Sequence, residues 1–301
     1  MGIDQQPGRR LCSPSASLLR IRVEVGERKT LKWIKSIGKA FVVAFSIYSK
    51  IPMPRFNWES DDMKYHLCFF PWVGAVIGGL EWLWYFLCSQ RELGTCAYVF
   101  IAIAIPILVT GGFHLDGFMD SCDALHSYQD REKKLEILKD PHIGAFAVIC
   151  LAGYFLLAAG ALSILFDAAI QEASTLFEDW RGVAVLCMSF FLSRALSGIS
   201  VVTMPGAKKK GMLQTFSDTA GKKTVLVLLI LQLVLIAAAA IVLSPVMGTT
   251  LLASAGLSFA YYHHVSMKQF GGITGDLAGY FVSLTEVVIL CVVAILEIVI
   301  R

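Results

Sequence analysis

The chain has 301 residues, of which 56% are hydrophobic and only 16% are charged, whereas soluble domains carry about 25% charged residues. This composition, with a mean hydropathy of +0.66, excludes a soluble enzyme, a disordered chain and an ordinary nucleic-acid-binding module. The formal net charge of +3 is unevenly distributed, because residues 1–39 hold nine Lys/Arg and three Asp/Glu. We interpret residues 1–39 as a basic, mobile tail and residues 40–301 as a single membrane-embedded catalytic domain.

The predicted elements begin with residues 40–47, which are apolar but too few to span a bilayer and so predict an interfacial or re-entrant helix. Seven apolar runs follow, each long enough, or nearly so, to cross about 30 Å of hydrocarbon. They are residues 67–88, 93–113, 143–166, 182–204, 224–243, 246–262 and 277–300. The sixth run is the weakest, since it is short and rich in Gly, Ser and Thr. The sequence therefore predicts an all-α, polytopic membrane helix bundle with about seven transmembrane helices.

Lys and Arg residues in the loops predict the orientation of this bundle in the cell inner (cytoplasmic) membrane. The loops 114–142 and 205–223 carry four and five of these residues, and the alternate loops carry at most one each. We therefore expect the two basic loops, and the loop 263–276, on the cytoplasmic side, with 167–181 outside. The basic segments could hold a nucleotide, contact anionic lipids, or do both.

The strongest signal for chemistry lies in the loop 114–142, where Asp116, Asp120 and Asp123 are spaced i, i+4 and i+7. At 100° per residue, these carboxylates share about 60° of arc on one helical face. They repel one another unless a cation lies between them or their pKa values rise. Oxygen-only ligands suit Mg²⁺ or Mn²⁺, whereas a solvated acidic face is the alternative. His114 would lie about 160° from Asp116 on such a helix, which favours a supporting or structural role.

Residues 271–276, Gly-Gly-Ile-Thr-Gly-Asp, form a second candidate cluster before the last apolar run. Glycines let a backbone approach a ligand closely and can aim amide N–H groups at phosphate, and Thr274 and Asp276 add oxygen atoms. We expect Asp276 to meet the first cluster, because both lie at the same predicted membrane edge. The alternative is a tight interhelical turn in which Asp276 caps the last helix.

Three charged residues lie deep inside predicted spans. Arg194 is near the middle of its span, Glu286 is about ten residues into the last one, and Glu81 is deep in the first. Charged groups are expensive in a bilayer, so they usually pair with one another or line a site. These residues predict either a functional site or a buried Arg–Glu pair.

Residues 111–117 (Gly-Gly-Phe-His-Leu-Asp-Gly), followed by Asp120 and Asp123, resemble the signature of the cobalamin synthase family, the adenosylcobinamide-GDP ribazoletransferases. The resemblance continues at residues 135–145, at Arg194 and at residues 271–276, and it covers about residues 41–295. The chain departs from the family pattern at Met119, His142 and Tyr280, and none of these departures removes a carboxylate.

This resemblance implies a membrane-bound, Mg²⁺-dependent phosphotransferase, with Mn²⁺ as a possible substitute. It would join adenosylcobinamide-GDP to α-ribazole, or to its 5′-phosphate, and release GMP. Asp116, Asp120 and Asp123 are then the expected catalytic residues and metal ligands, with Asp276 as a further ligand. The expected substrate and phosphate contacts are Gly112, His114, Lys139, Asp140, Arg194, Gly272, Thr274 and Gly275, with Glu81 and Glu286 as intramembrane support.

Two other functions remain open from the sequence. A CDP-alcohol phosphotransferase also uses clustered aspartates, but its Asp-Gly-x-x-Ala-Arg element is absent after Asp116. A cation transporter should place carboxylates near the bilayer midplane, whereas both clusters here lie at one predicted edge. The expected partners are the corrinoid nucleotide, α-ribazole and the lipid bilayer, with no nucleic acid. The oligomeric state stays open.

Overall fold

The computed structural model describes residues 36–58, 62–171, 180–207 and 221–300. The chain divides into two units, Met1–Lys39 and Ala40–Arg301. Residues 1–35 of the predicted tail lie outside the described residues, as do residues 208–220 of the second basic loop and most of the predicted external loop 167–181.

Ten α-helices and no strand form within those described ranges, which confirms the predicted all-α class. All seven predicted apolar runs are helical. The helices are α1 (Ser36–Tyr48), α2 (Phe70–Gln90), α3 (Thr95–Thr110), α4 (Phe113–His126), α5 (Arg131–Ile137), α6 (Ala145–Gln171), α7 (Arg181–Thr203), α8 (Lys222–Leu243), α9 (Pro245–Val265) and α10 (Gly275–Ile300). A 3₁₀ turn, His66–Phe69, leads into α2, and a π-helical turn, Ser266–Phe270, follows α9.

Five of the described helices are long and apolar enough to cross a membrane: α2 with its leading 3₁₀ turn, α6, α7, α8 and α10. The helices α3 and α4 provide a sixth span if the pair is counted together, although they are bent by 96°. Helix α9, which contains the weak sixth run, has 21 residues but is not among the five. Helix α1 is apolar and too short to span, as its sequence predicted.

The bend between α3 and α4 arises at two consecutive glycines. Gly111 has φ 69° and Gly112 has φ 80°, in the left-handed region that glycine enters without steric cost. The Gly111 N–H donates to the Ile107 carbonyl and closes α3. Helix α4 then begins at an angle to the span, so its aspartates lie at one end of the bundle instead of along α3.

The core of the bundle is built on α7 and α10, which have the most thoroughly buried faces. Helix α2 packs along α7, and α10 contacts α4, α6, α7 and α9. Gly74 of α2 lies against the backbone of Phe190, and Gly78 lies against that of Cys187. Because glycine has no side chain, the α2 and α7 backbones approach closely at these two positions. Helices α6 and α8 bury only a minority of the residues in their spanning stretches, as expected of helices that face lipid.

Three loops meet at one end of this bundle. The segment after α7 pairs with the segment before α10, since Ile273 N–H donates to Pro205 O (2.9 Å) and Ala207 N–H donates to Ile273 O (2.8 Å). From α5, Lys134 hydrogen-bonds Gln269, and the Arg131 guanidinium lies against Gly271. The described parts of the loops 114–142, 205–223 and 263–276 therefore share one end, as the Lys/Arg pattern predicted.

Candidate active site

The two predicted clusters come together where α4 packs along α10. A Cβ atom added to Gly117 would lie 2.6 Å from the carbonyl oxygen of Asp276 and 2.9 Å from its Cα. One turn further along α10, a Cβ at Gly279 would lie 3.1 Å from the His114 carbonyl oxygen. These two glycines let the helix backbones touch, and they hold Asp276 against the aspartate-bearing helix, about 150 residues away in sequence.

The carboxylates of this region influence one another. Asp116 is exposed, and Asp120 and Asp276 are half-buried. Burial, followed by the negative charges of Asp116, Asp276 and Asp123, raises the pKa of Asp120 to about 6. A site in which neighbouring negative charges oppose ionisation gains free energy when a cation binds beside them.

The oxygen atoms of these carboxylates are the kind of donor that Mg²⁺ prefers. In the part of the chain that the structure describes, no three His, Cys, Asp or Glu side chains converge into a ready-made metal site. Mg²⁺ commonly takes only one or two protein carboxylates and completes its shell with waters and substrate phosphates. The all-oxygen donor set of Asp116, Asp120 and Asp276 suits that arrangement, and metal ligation by these residues stays a prediction.

Asp123 has a structural role that its spacing did not reveal. Its Oδ2 accepts a hydrogen bond from Gly144 N–H (2.8 Å), and its Oδ1 accepts one from Ala147 N–H (2.9 Å). These are N–H groups at the start of α6, which the helix itself cannot satisfy. Asp123 therefore caps α6 from a neighbouring helix and fixes α4 relative to it. Its predicted part in catalysis and metal binding is untested.

In the second cluster, Thr274 makes a capping hydrogen bond at the start of α10. The Thr274 Oγ1 accepts a hydrogen bond from Leu277 N–H (3.2 Å) at the start of α10 and donates to Asp276 Oδ2 (3.4 Å). Thr274 thus has a capping role of the kind that we considered for Asp276. Asp276 lies in the first turn of α10, where the helix dipole favours its negative charge.

The glycines around the site divide into two groups. Gly271 and Gly272, at φ 69° and φ 154°, are covered by Arg131 and by the backbone of residues 205–207, respectively. Gly272 therefore serves close backbone packing, and its predicted phosphate contact is untested. By contrast, a Cβ at Gly112 or Gly275 would meet no described atom within 4 Å. A substrate can approach the backbone at these two positions.

Lys139 and Asp140 lie in the exposed turn that leads from α5 to α6. The Asp140 Oδ1 accepts a hydrogen bond from His142 N–H (3.0 Å) and pairs with its imidazole Nδ1 (2.6 Å). These contacts with His142 lower the pKa of the Asp140 carboxyl and organise the approach to Gly144. The substrate contacts predicted for Lys139 and Asp140 stay predictions.

Arg194 and Glu286 form the buried pair that the sequence left as one of two possibilities. The Arg194 Nη1 lies 2.6 Å from Glu286 Oε1 and also donates to the Phe190 carbonyl (2.8 Å), while Ser193 Oγ donates to Glu286 (2.9 Å). Only 1% of Arg194 is exposed. Its guanidinium is thus engaged inside the bundle, and a phosphate contact by Arg194 is untested.

Glu81 lies beside this pair, and its predicted role as an intramembrane support is untested. It is 1% exposed, and neither of its carboxyl oxygens has a hydrogen-bond partner among the described residues. Glu81 and Glu286 both line a cavity of about 40 Å³, which is large enough to hold water. The buried polar groups of α2, α7 and α10 therefore form one connected region below the aspartate cluster.

The close approach of α4 and α10 gives a first testable prediction. We expect Gly117→Ala to lower the thermal unfolding midpoint and the catalytic rate, because the added methyl overlaps the Asp276 backbone, and such overpacking costs about 1–3 kcal/mol. Gly153→Ala on α6 is the matched control, since its methyl meets no described atom within 4 Å. Alanine there should be neutral or stabilising by up to about 1 kcal/mol. Equal unfolding midpoints for the two variants would contradict the packing described above.

Comparison with known proteins identifies the family. The family model of cobalamin-5-phosphate synthase matches residues 40–294. An adenosylcobinamide-GDP ribazoletransferase of Lachnoclostridium phytofermentans is 40% identical over 267 residues, covering 89% of this chain and 96% of that protein. One of Clostridium perfringens is 30% identical over 253 residues, covering 84% and 96%. No solved structure matches the chain. The aspartate-bearing helix and the glycine turn both fall inside the matched region, and the chain belongs to the cobalamin-5-phosphate synthase family.

Proposed function

We propose that this protein is the transferase that joins adenosylcobinamide-GDP to α-ribazole, or to α-ribazole 5′-phosphate, in the assembly of the cobalamin nucleotide loop. The single observation that supports this most directly is the convergence of the α4 carboxylates with Asp276. It creates a negatively charged region with two open glycines, Gly112 and Gly275, at one end of a membrane bundle. The names of the related transferases support these substrates, and the site offers room for a pyrophosphate.

In the proposed reaction, a ribose hydroxyl of ribazole attacks the phosphorus atom that is bonded to the cobinamide. A new P–O bond forms to ribose, the P–O bond to the GMP phosphate breaks, and the hydroxyl proton passes to a carboxylate of α4. Mg²⁺ held by Asp116, Asp120 and Asp276 would neutralise the pyrophosphate and stabilise the leaving phosphate. Asp123, by capping α6, keeps the carboxylate face of α4 in position.

We also propose that this end of the bundle faces the cytoplasm of the cell inner membrane. The Lys/Arg excess in the loops that meet there supports this orientation, and soluble nucleotide substrates would reach the site from that side. Accessibility labelling of single cysteines in 114–142 and 263–276 should place both loops on the cytoplasmic face.

The function is tested by incubating the purified protein in lipid nanodiscs with adenosylcobinamide-GDP, α-ribazole and Mg²⁺. We expect a cobalamin and GMP in a one-to-one ratio, no product after chelation, and recovery when Mg²⁺ or Mn²⁺ is returned. Failure to form both products from either α-ribazole or its 5′-phosphate, in protein that is folded by its thermal unfolding transition, would refute the proposed function.

A further inference from the structure

A cleft beside the carboxylates has the features of a binding slot for a flat ring. It lies between α1, α2, α4, α7 and α10, and its cavity volume is about 60 Å³. Phe113 and Gly275 are exposed at one side of the cleft, whereas Leu67 and Ser197 are each 1% exposed. The mouth therefore opens next to Asp276, and the floor lies inside the bundle.

The walls of this slot are aromatic. The rings of Tyr48 and Phe70 lie 4.2 Å apart between centroids, and Phe70 stacks on the His114 imidazole at 5.6 Å with an interplanar angle of 30°. Phe113 completes the aromatic side near the mouth. On the α10 side, Gly275, Ala278 and Gly279 present little or no side chain. An aromatic wall opposite a wall of small residues is suited to a planar ligand.

His114 supplies the polar group that such a slot needs. It is 5% exposed, and neither ring nitrogen has a hydrogen-bond partner among the residues that the structure describes. A buried polar group without a partner is costly, and it usually signals a water or a ligand that the group would bind. His114 therefore offers a hydrogen bond to a ring nitrogen of a ligand that enters the slot.

We propose that this slot binds the heteroaromatic base of ribazole, an inference that rests on the proposed function and assigns a subsite within it. The base would stack against Phe70 and hydrogen-bond His114. His114 is two residues from Asp116, and Gly275 precedes Asp276, so a base in the slot directs its ribose toward the carboxylates. The guanine of the GDP group has the same flat shape but carries several exocyclic and ring polar groups. The mostly apolar lining favours the less polar base of ribazole.

Calorimetry on the purified full-length protein, without metal or corrinoid, compares the binding of free benzimidazole with the binding of GMP. The comparison shows which of the two bases the slot prefers. We expect benzimidazole to bind and His114→Phe, which keeps the ring and removes the hydrogen bond, to raise its dissociation constant about tenfold. His114→Gln, which restores a hydrogen-bonding group, should recover most of the affinity. Ala278→Leu should block binding by filling the slot, whereas Ala239→Leu, on the exposed face of α8, should not.

In the transfer assay, His114→Phe should raise the KM for ribazole about tenfold while the KM for the corrinoid stays unchanged. Unchanged benzimidazole binding in both His114→Phe and Ala278→Leu would overturn the inference, and so would competition for the slot by GMP alone. If the wild type forms cobalamin, and His114→Phe and Ala278→Leu match it in benzimidazole binding and in the KM for ribazole, the slot assignment fails and the proposed function stands. If benzimidazole binds in the slot and no cobalamin forms with any metal, the proposed function fails instead.

Discussion

Asp116→Asn and Asp120→Asn should each lower the rate of cobalamin formation at least about 100-fold, because each removes a charge that would stabilise the transition state by several kcal/mol. Asparagine has nearly the same shape as aspartate, so both variants should insert into the membrane and keep the thermal unfolding midpoint of the wild type. The measurement is the initial rate of cobalamin and GMP formation in nanodiscs with saturating Mg²⁺.

Two further variants serve as comparisons for Asp116→Asn and Asp120→Asn. Glu132→Gln removes the same charge from an exposed position on α5, at the same end of the bundle, and should retain full activity. Asp123→Asn should lose activity together with stability, because both Asp123 oxygens accept hydrogen bonds from the start of α6, and weakening such a cap costs about 0.5–2 kcal/mol. Near-normal turnover in Asp116→Asn and Asp120→Asn would show that these carboxylates are not needed for transfer.

Removing one member of the buried Arg194–Glu286 pair should produce the largest loss of stability. Arg194→Met leaves Glu286 without its cation, beside Glu81, in a cavity that both carboxyl groups line. Breaking a buried ion pair in this way costs about 3–5 kcal/mol. The measurement is the free energy of unfolding in detergent, taken from denaturant titration of the purified protein.

The double variant Arg194→Met/Glu286→Met distinguishes the pair from a simple packing effect. When both charges are replaced by apolar side chains, the desolvation cost disappears, and stability commonly returns close to the original value. We therefore expect the double variant to be more stable than Arg194→Met alone. A single variant within about 1 kcal/mol of the wild type would contradict a tight pair at this position.

The helical spans were predictable because apolar length and loop charge are local properties of the sequence. The bend at Gly111 and Gly112 was not, since two glycines permit a left-handed turn but do not require one. The bend has a functional consequence, because it turns the Asp116–Asp123 face away from the membrane span and toward α10. The sequence predicted that the Asp116–Asp123 cluster and the Asp276 cluster lie at one edge of the membrane. The structure shows the contact at Gly117 that brings them together.

Individual roles within the site depended on contacts between helices, which spacing alone does not show. Asp123 lies on the same face of α4 as Asp116. It nevertheless caps α6, because α6 begins beside it. Gly272 and Gly275 belong to one glycine motif, but only Gly275 faces open space. The apolar slot at His114 is assembled from five helices and the 3₁₀ turn before α2, so no single segment of sequence could indicate it.

The family match and the position of the carboxylates also bear on the two alternative functions. Membership in the cobalamin-5-phosphate synthase family separates the chain from the CDP-alcohol phosphotransferases. Asp116, Asp120 and Asp276 lie at the end of the bundle where the basic loops meet, whereas a transport path should place carboxylates along the spans. The two carboxyl groups deep inside the spans, Glu81 and Glu286, flank a cavity of only about 40 Å³.

The central claim is that carboxylates of α4 and α10 hold one metal together, and Mn²⁺ binding tests it most directly. Electron paramagnetic resonance can follow Mn²⁺ titration of the full chain in nanodiscs with adenosylcobinamide-GDP present. We predict tight binding by the wild type and by Glu132→Gln, and at least tenfold weaker binding by both Asp120→Asn and Asp276→Asn. Wild-type Mn²⁺ affinity in Asp120→Asn and Asp276→Asn would contradict a shared metal site between the two helices.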